Sequence, residues 1–306
     1  MVTVKKIAIF TDCDLDGIGC YMVFKWFTNY KNIEHTICSQ SNFRKTFLSW
    51  ANKRDTSTYD RIYIFDLDVS QTCLDIVDMD NVTVIDHHDT HVQNQDKYKK
   101  AKTILQEYSS CCKLLYTLLA QKYPDRKLTD NQKMLVLMVD DYDSYELKLK
   151  DSYNLNIILW NYVGKRAEQF ERDFARGFTG FNESHKNMIH MNNKKVHRII
   201  SELEIFRGDI PVMGGKKDYK VFATFAFQSL NEVAHHVIDN YDCDVCIVFN
   251  MKTQRCSFRK NKETCPEVDL GKIAKNLAEG GGHMYSAGGS ITESMLTLTK
   301  LLKPVI

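Results

Sequence analysis

Four residues in a row, Asp86-His87-His88-Asp89, carry side chains that bind metal ions, and they follow directly on the β-branched run Val82-Thr83-Val84-Ile85. Such a run reads as a buried strand. Ligands of open α/β sheets gather where strands end, so the four residues stand where a site would form. Imidazole nitrogen with carboxylate oxygen suits Mn²⁺, Fe²⁺ or Zn²⁺. Alone, the same four residues would read better as a polar surface turn.

Other segments point to a site. Lys6-Ile7-Ala8-Ile9-Phe10 is a short apolar run that delivers Thr11-Asp12-Cys13-Asp14-Leu15-Asp16-Gly17. One aspartate there would cap the following helix. Three at alternate positions repel one another unless a cation offsets them. The spacing resembles half an EF-hand loop, but Val23 stands where the closing glutamate belongs. Arg61-Ile62-Tyr63-Ile64-Phe65 also ends in acid, at Asp66-Leu67-Asp68-Val69-Ser70, and an apolar helix over Asn131 to Val139 runs into Asp140-Asp141-Tyr142-Asp143. Negative charge at a helix C-terminus opposes the helix dipole, so these last acids point to function.

The elements that position these groups follow from the pattern. Apolar strands separated by helical stretches predict a parallel sheet with helices on both faces: strands at Lys6 to Phe10, His35 to Cys38, Arg61 to Phe65 and Val82 to Ile85, with helices over Ile18 to Tyr30 and Ser109 to Lys122. Residues 152–182 read as helical, and a long charged helix from Glu183 to Phe206, with His185, His190 and His197 at exposed positions, reads as a connector. Beyond Gly208 come Ile210 to Met213, a Gly214-Gly215 turn, strands at Tyr219 to Phe227, Asp244 to Phe249 and Gln254 to Phe258, and helices at Leu230 to Tyr241 and Val268 to Leu277. Gly280-Gly281-Gly282-His283 then offers backbone N–H groups and an imidazole that could hold a phosphate, although glycine clusters also make simple turns.

Composition sets the frame. The chain has 306 residues, 43% hydrophobic and 26% charged, with net charge +2, so no global field draws it to nucleic acid or an anionic membrane. No apolar run approaches a membrane span and the N-terminus lacks a secretory profile, which makes the cytoplasm the expectation. The ten cysteines are scattered and are expected as reduced thiols. Cys243 and Cys246 form the one CxxC, without the second close pair that a structural zinc site needs.

Taken in order, Asp-x-Asp-x-Asp-Gly, the aspartate after a later strand, Asp-His-His and the aspartate after an apolar helix resemble the motifs of the DHH phosphoesterase superfamily, most like its RecJ-type members and close to the nano-RNases. Gly-Gly-Gly-His followed by small residues resembles the DHHA1 domain that accompanies it, although Ser286-Ala287-Gly288-Gly289 departs slightly from the usual pattern. The resemblance implies an α/β fold: a parallel-sheet DHH catalytic domain over 1–182, a helical linker over 183–207 and a smaller α/β DHHA1 substrate-binding domain over 208–306, with the active site in the cleft between the domains.

It further implies a two-metal hydrolase, with Asp12 and Asp14 on one ion, Asp16, His87 and Asp141 on the other, and Asp66 on both. Asp86 would orient His87, and His88 would lie beside the scissile phosphate. His283 and Arg259, with Gly281 and Gly282, would bind the substrate's far end. Two Mn²⁺ ions are the implied cofactor, with Mg²⁺ as the substitute. The expected partner is a short single-stranded oligonucleotide or nucleotide and not a membrane; a homodimer is compatible with the sequence. The expected activity is hydrolysis of short oligonucleotides or small nucleotide phosphodiesters. The alternative is a RecJ-like 5′–3′ exonuclease on longer single strands, disfavoured because no OB-fold follows Ile291. Gly280 to His283 argues against a pyrophosphatase, and a scaffold without catalysis would be expected to have lost ligands.

Overall fold

The computed structural model describes residues 5–28, 30–211 and 218–305. The chain divides into two compact units, Met1–Ile189 and His190–Ile306.

The first unit is built on strands β1 (Lys6–Thr11), β2 (Asn32–Ile37), β3 (Arg61–Phe65), β4 (Val82–Asp86) and β5 (Lys102–Leu105), in the order β2-β1-β3-β4-β5 and all parallel. Period-two alternation divides their side chains between two cores. Ile7, Ile9, Phe65 and Ile85 face one side, while Ala8, Phe10, Ile62, Ile64, Val82 and Val84 face the other. A parallel sheet must be covered on both faces, and this one is. On the first face lies α1 (Leu15–Phe27), packed on the later helices of the unit; α2 (Phe43–Ala51) and the single turns α3 (Leu74–Val77) and α4 (Asp89–Val92) lie on the second. The chain leaves β1 for β2 on one side and then returns to β3 on the other. The gap beyond the ends of β1 and β3 is therefore the crevice where such sheets bind ligands.

Helices α5 (Cys111–Lys122), α6 (Asp130–Asp143), α7 (Ser152–Asn161) and α8 (Arg166–Asp173) complete the first face. Ser110, not Ser109, caps α5 by accepting from Lys113 N–H. Thr129 and Gln132 form a reciprocal capping box on α6, which extends four residues past the expected Val139 and so holds the Asp140 to Asp143 acids in its last turn. The expected helix over 152–182 is α7 and α8, followed by a turn and irregular chain after Asp173.

Helix α9 (Glu183–Ser201) carries the unit boundary. His185, expected at the surface, is buried: its Nε2 lies 2.9 Å from Tyr162 Oη and 3.2 Å from Asp173, against the Phe174 ring.

The second unit is a sheet of β6 (Ile205–Pro211), β7 (Asp218–Phe225), β8 (Val245–Asn250), β9 (Arg255–Lys260), β10 (Gly281–His283), β11 (Ser286–Ser290) and β12 (Lys303–Pro304) in the order β10-β11-β9-β8-β7-β6-β12. Only the β7–β8 pair is parallel. Helix α10 (Leu230–Asn240) covers one face, and α11 (Leu270–Ala278) with α12 (Glu293–Thr299) covers the other. The mixed α/β architecture matches the expected fold class. Val212, Met213 and the Gly214-Gly215 turn lie outside the described residues. Cys243 and Cys246 both belong to the core under α10, where burial pushes Cys243 up to about 12 and Cys246 well above the usual thiol range.

Candidate metal centre

Asp12, Asp14 and Asp16 leave the end of β1 and enter the first turn of α1. Asp14 is the helix N-cap and accepts from Gly17 N–H at 3.0 Å. Gly17 is required there, because a Cβ would lie 2.5 Å from the Asp12 carbonyl oxygen. Asp16 is buried and accepts from Cys111 N–H at 2.7 Å and Cys112 N–H at 2.8 Å, the first two donors of α5. Those N–H groups have no partner within their own helix, so a carboxylate is favoured at this position. Asp12 is half-buried and accepts from Cys13 N–H.

Asp66 follows β3 with φ 58°, a left-handed backbone that costs a non-glycine residue about 1 kcal/mol or more. Its N–H bonds Ile85 O at 3.1 Å, and its buried carboxylate faces the ends of β1 and β4. Asp68 is engaged elsewhere. It accepts from Ser70 N–H at 3.0 Å, Ser70 Oγ at 2.6 Å and Thr90 Oγ1 at 2.7 Å.

The ring of His87 is held by the Tyr108 carbonyl, which takes the Nδ1 proton at 3.1 Å. A carbonyl only accepts, so this contact sets the tautomer and leaves the Nε2 lone pair on the other side. Nε2 lies 3.5 Å from Asp143, 3.6 Å from Asp66 and 3.7 Å from Asp16. Asp86 does not orient the His87 ring, contrary to the expectation from sequence. It accepts from the His87 backbone N–H at 2.8 Å and holds two other rings, His88 Nδ1 at 2.8 Å and His91 Nδ1 at 2.6 Å. His91, fully buried, is held in turn by Tyr98 Oη at 2.6 Å.

The three acids at the end of α6 divide by partner. Asp140 takes Ser110 Oγ at 3.0 Å and the Lys113 ammonium at 2.6 Å. Asp141, expected as a metal ligand, instead accepts from Lys148 N–H, Leu149 N–H and Ser152 Oγ at 2.9, 3.0 and 2.6 Å, and so anchors the chain leading into α7. Asp143 is the acid that faces His87. The helix period could have found it: Asp143 lies four residues beyond buried Val139 and seven beyond buried Val136, on the same stripe.

Electrostatics mark the cluster as short of positive charge. Burial, the His87 contact notwithstanding, raises Asp16 to about 6. Burial and the neighbouring aspartates raise Asp66 and Asp143 well above the carboxylate range, and burial with the charge of Asp12 raises Asp14. Burial opposes protonation of His88, but Asp86, Asp143 and Asp14 outweigh it and push His88 up to about 10. Burial likewise opposes ionisation of Asp86, yet His88 and His91 hold it well below the usual range.

One ligand atom each from Asp66, Asp86, His87 and His88 lie within 4.8 Å of one another, as do those from Asp16, His87 and Asp143. A lone pair facing three carboxylates needs a cation between them, so the donor set fits a divalent metal. Asp14, whose carboxylate interacts with that of Asp66, adjoins these groups, and Asp12 lies beside Asp14. Arg166, which the sequence reading passed over, donates to the Cys13 carbonyl at 3.3 Å and lies 3.9 Å over the Trp160 ring.

In the second unit, Arg259, Ser286 and His283 form one cross-strand row: Arg259 pairs with Ser286 across β9 and β11, and Ser286 pairs with His283 across β11 and β10. The Arg259 guanidinium is anchored by Phe258 O at 2.7 Å and by Asn231 Oδ1. The glycines here are mainly a packing device, not an open loop. A Cβ at Gly280 would meet Gly288 O at 2.0 Å, and one at Gly282, with φ +142°, would meet Ser286 O at 2.5 Å; of the three, only Gly281 faces open space.

Residues 6–139 match the DHH family, N-terminal domain. That stretch, the parallel sheet and its helices through most of α6, therefore carries a DHH-type domain. No curated protein matches its sequence. Among solved structures, its fold is similar to a DHH domain described as a member of a family of ribosomal proteins (TM-score 0.67, 12% identity, 98% of this chain and 87% of that one). It is also similar to the exonuclease RecJ bound to manganese (0.58, 10%, 97% and 88%) and to the pGpG-specific phosphodiesterase PggH from Vibrio cholerae (0.56, 14%, 97% and 97%). At these identities the likeness is one of fold. Among the described residues, no helix is long and apolar enough to cross a membrane.

Proposed function

We propose that the protein is a metal-dependent phosphodiesterase that hydrolyses short oligonucleotides or small nucleotide phosphodiesters. The observation that carries this reading is the His87 Nε2 atom facing Asp16, Asp66 and Asp143 at the sheet's switch point. When bound there, two divalent cations supply an activated water and offset the charge of the phosphate. Asp16, His87 and Asp143 would hold one ion, Asp12 and Asp14 the other, and Asp66 both; Mn²⁺ is favoured by the mixed oxygen and imidazole donors and by its presence in RecJ. His88, a third exposed on its side chain and held by Asp86, would donate a proton to a phosphate oxygen. Arg259 and His283 would bind the substrate's non-scissile end, with Gly281 leaving room for the backbone to approach.

The test is hydrolysis of 5′-labelled RNA and DNA from dinucleotides to long strands, with pAp and cyclic dinucleotides, in Mn²⁺. Preference for substrates of a few nucleotides supports the reading. Preference for long single strands supports the RecJ-like alternative, and inertness toward every phosphodiester defeats both. Arg259→Gln should lower kcat/KM about 10–100-fold on nucleotides and far less on a small generic phosphodiester.

A further inference from the structure

A second feature of the first unit lies outside the metal centre. Helix α2 borders a concave pocket of about 540 Å³, lined by Ser39, Lys45, Thr46, Ser49 and Lys53 and, from the β2 terminus, by Ile37 and Cys38. Lys45 and Ser49 are four residues apart and share an exposed face of α2, and Lys53, also exposed, lies two residues past its end. The cations around them differ in kind. Arg44 is paired with Asp75 at 2.6 Å and Arg54 with Glu34 at 2.8 Å. Lys45 and Lys53 have no acidic partner among the described residues. Two uncompensated ammonium groups interleaved with three hydroxyls present donors without acceptor-only groups, which suits an anion of several charges.

The pocket's position says which anion. Ile37 pairs with Thr11, and Cys38 N–H donates to Thr11 O at 3.1 Å, so these two lining residues abut the residue that precedes Asp12. The Asp12 charge is felt by the Cys38 thiol, which burial pushes up to about 12 with Asp12 adding to the shift. The pocket lining thus reaches from the strand next to Thr11, beside the metal centre, to the exposed residues of α2 and the turn after it. Lys45 lies on α2 and Lys53 beyond its end, so the two ammonium groups stand at separate points of the pocket lining.

We propose that this pocket is a subsite for the sugar–phosphate backbone of a single-stranded nucleic acid whose scissile bond lies at the metal centre. It rests on the phosphodiesterase reading and deepens it. A substrate that fills both must run several nucleotides beyond the scissile phosphate, and no base is read by these side chains.

The test measures binding of fluorescein-labelled oligouridylate and oligothymidylate, two and eight nucleotides long, in chelator at two salt concentrations, for the full chain and for Lys45→Ala/Lys53→Ala. Wild type should bind the octamer more tightly than the dimer. The double variant should lose about tenfold or more on the octamer, little on the dimer, and about 1.4 from the salt slope, two phosphates' worth for a single strand. Lys45→Arg/Lys53→Arg should retain binding, and melting temperatures report folding. Equal octamer binding in wild type and the alanine variant, no preference of wild type for the octamer, or displacement of the octamer by millimolar inorganic phosphate alone overturns the subsite. Hydrolysis in Mn²⁺ by the same preparations separates the two ideas. Turnover without octamer preference overturns only the subsite, and octamer binding without turnover overturns only the enzyme.

Discussion

His87 Nε2 lies 3.5 Å from an Asp143 carboxylate oxygen, whereas Asp141, two residues earlier, spends both of its oxygens on the backbone and hydroxyl groups that start α7. The two acids therefore have separable consequences. Asp143→Asn should lower kcat/KM about 10³-fold, a barrier higher by about 4 kcal/mol, with little change in stability. Asp141→Ala strands buried donors and should cost about 1–3 kcal/mol of stability in urea unfolding. An inactive but fully stable Asp141→Ala protein would reverse the assignment.

Asp66 and Asp68 differ in the same way. Asp66→Gly removes a carboxylate that faces His87 and relaxes a left-handed backbone, so the metal-free protein should melt no lower than wild type while turnover is lost. Asp68→Ala loses the Ser70 and Thr90 contacts and should melt lower while keeping most of its turnover. Calorimetry with a rate assay on both variants decides the matter.

Metal should bind the folded protein alone. Chelation should abolish hydrolysis and lower the melting temperature, and Mn²⁺ should restore activity better than Ca²⁺. At a hundred times its dissociation constant, one ion adds about 2.7 kcal/mol. Undiminished hydrolysis after exhaustive chelation is the result that excludes a metal mechanism.

His35 supplies a pH test away from the metal centre. Its ring stacks on Tyr21 with centroids 3.6 Å apart and bonds Thr11 Oγ1 at 2.9 Å; burial first, and then the Lys25 charge, depress it from 6.5 to about 3. Between those values the unfolded chain binds a proton that the folded chain refuses. Stability from this group is thus present above pH 6.5 and is lost as pH falls toward 3, by about 1.4 kcal/mol for each pH unit in which only the unfolded chain is protonated. His35→Gln should show a shallower fall in urea midpoint between about pH 7 and about pH 4. Parallel curves for the two proteins would exclude His35 as the cause.

Much of this arrangement was legible in the chain. The runs ending at Thr11, Phe65 and Ile85 announce their strands, because both faces of a parallel sheet are buried and few other patterns satisfy that. The acids that follow them are conspicuous because like charges at short spacing need a reason. Asp143 was hidden because the eye falls on the adjacent pair Asp140-Asp141, and only the helix register, extended past Val139, separates a ligand from two anchors. Tyr108 and His91 were hidden for another reason: their parts are a carbonyl and a ring made important by other segments of the chain, Tyr108 O for His87 and His91 beneath Asp86. The strand order of the second sheet depends on long-range pairing that no local period encodes.

Asp16 joins the first turn of α1 to the first two amides of α5, nearly a hundred residues later. Those amides are consequently built-in spectroscopic reporters. Any ligand that draws electron density from the Asp16 carboxylate must weaken the two hydrogen bonds it accepts, and the proton and nitrogen resonances of Cys111 and Cys112 will shift as it does so. Titrating an isotopically labelled sample and following two cross-peaks would read the occupancy of the centre directly, with no substrate present and no label attached to the site.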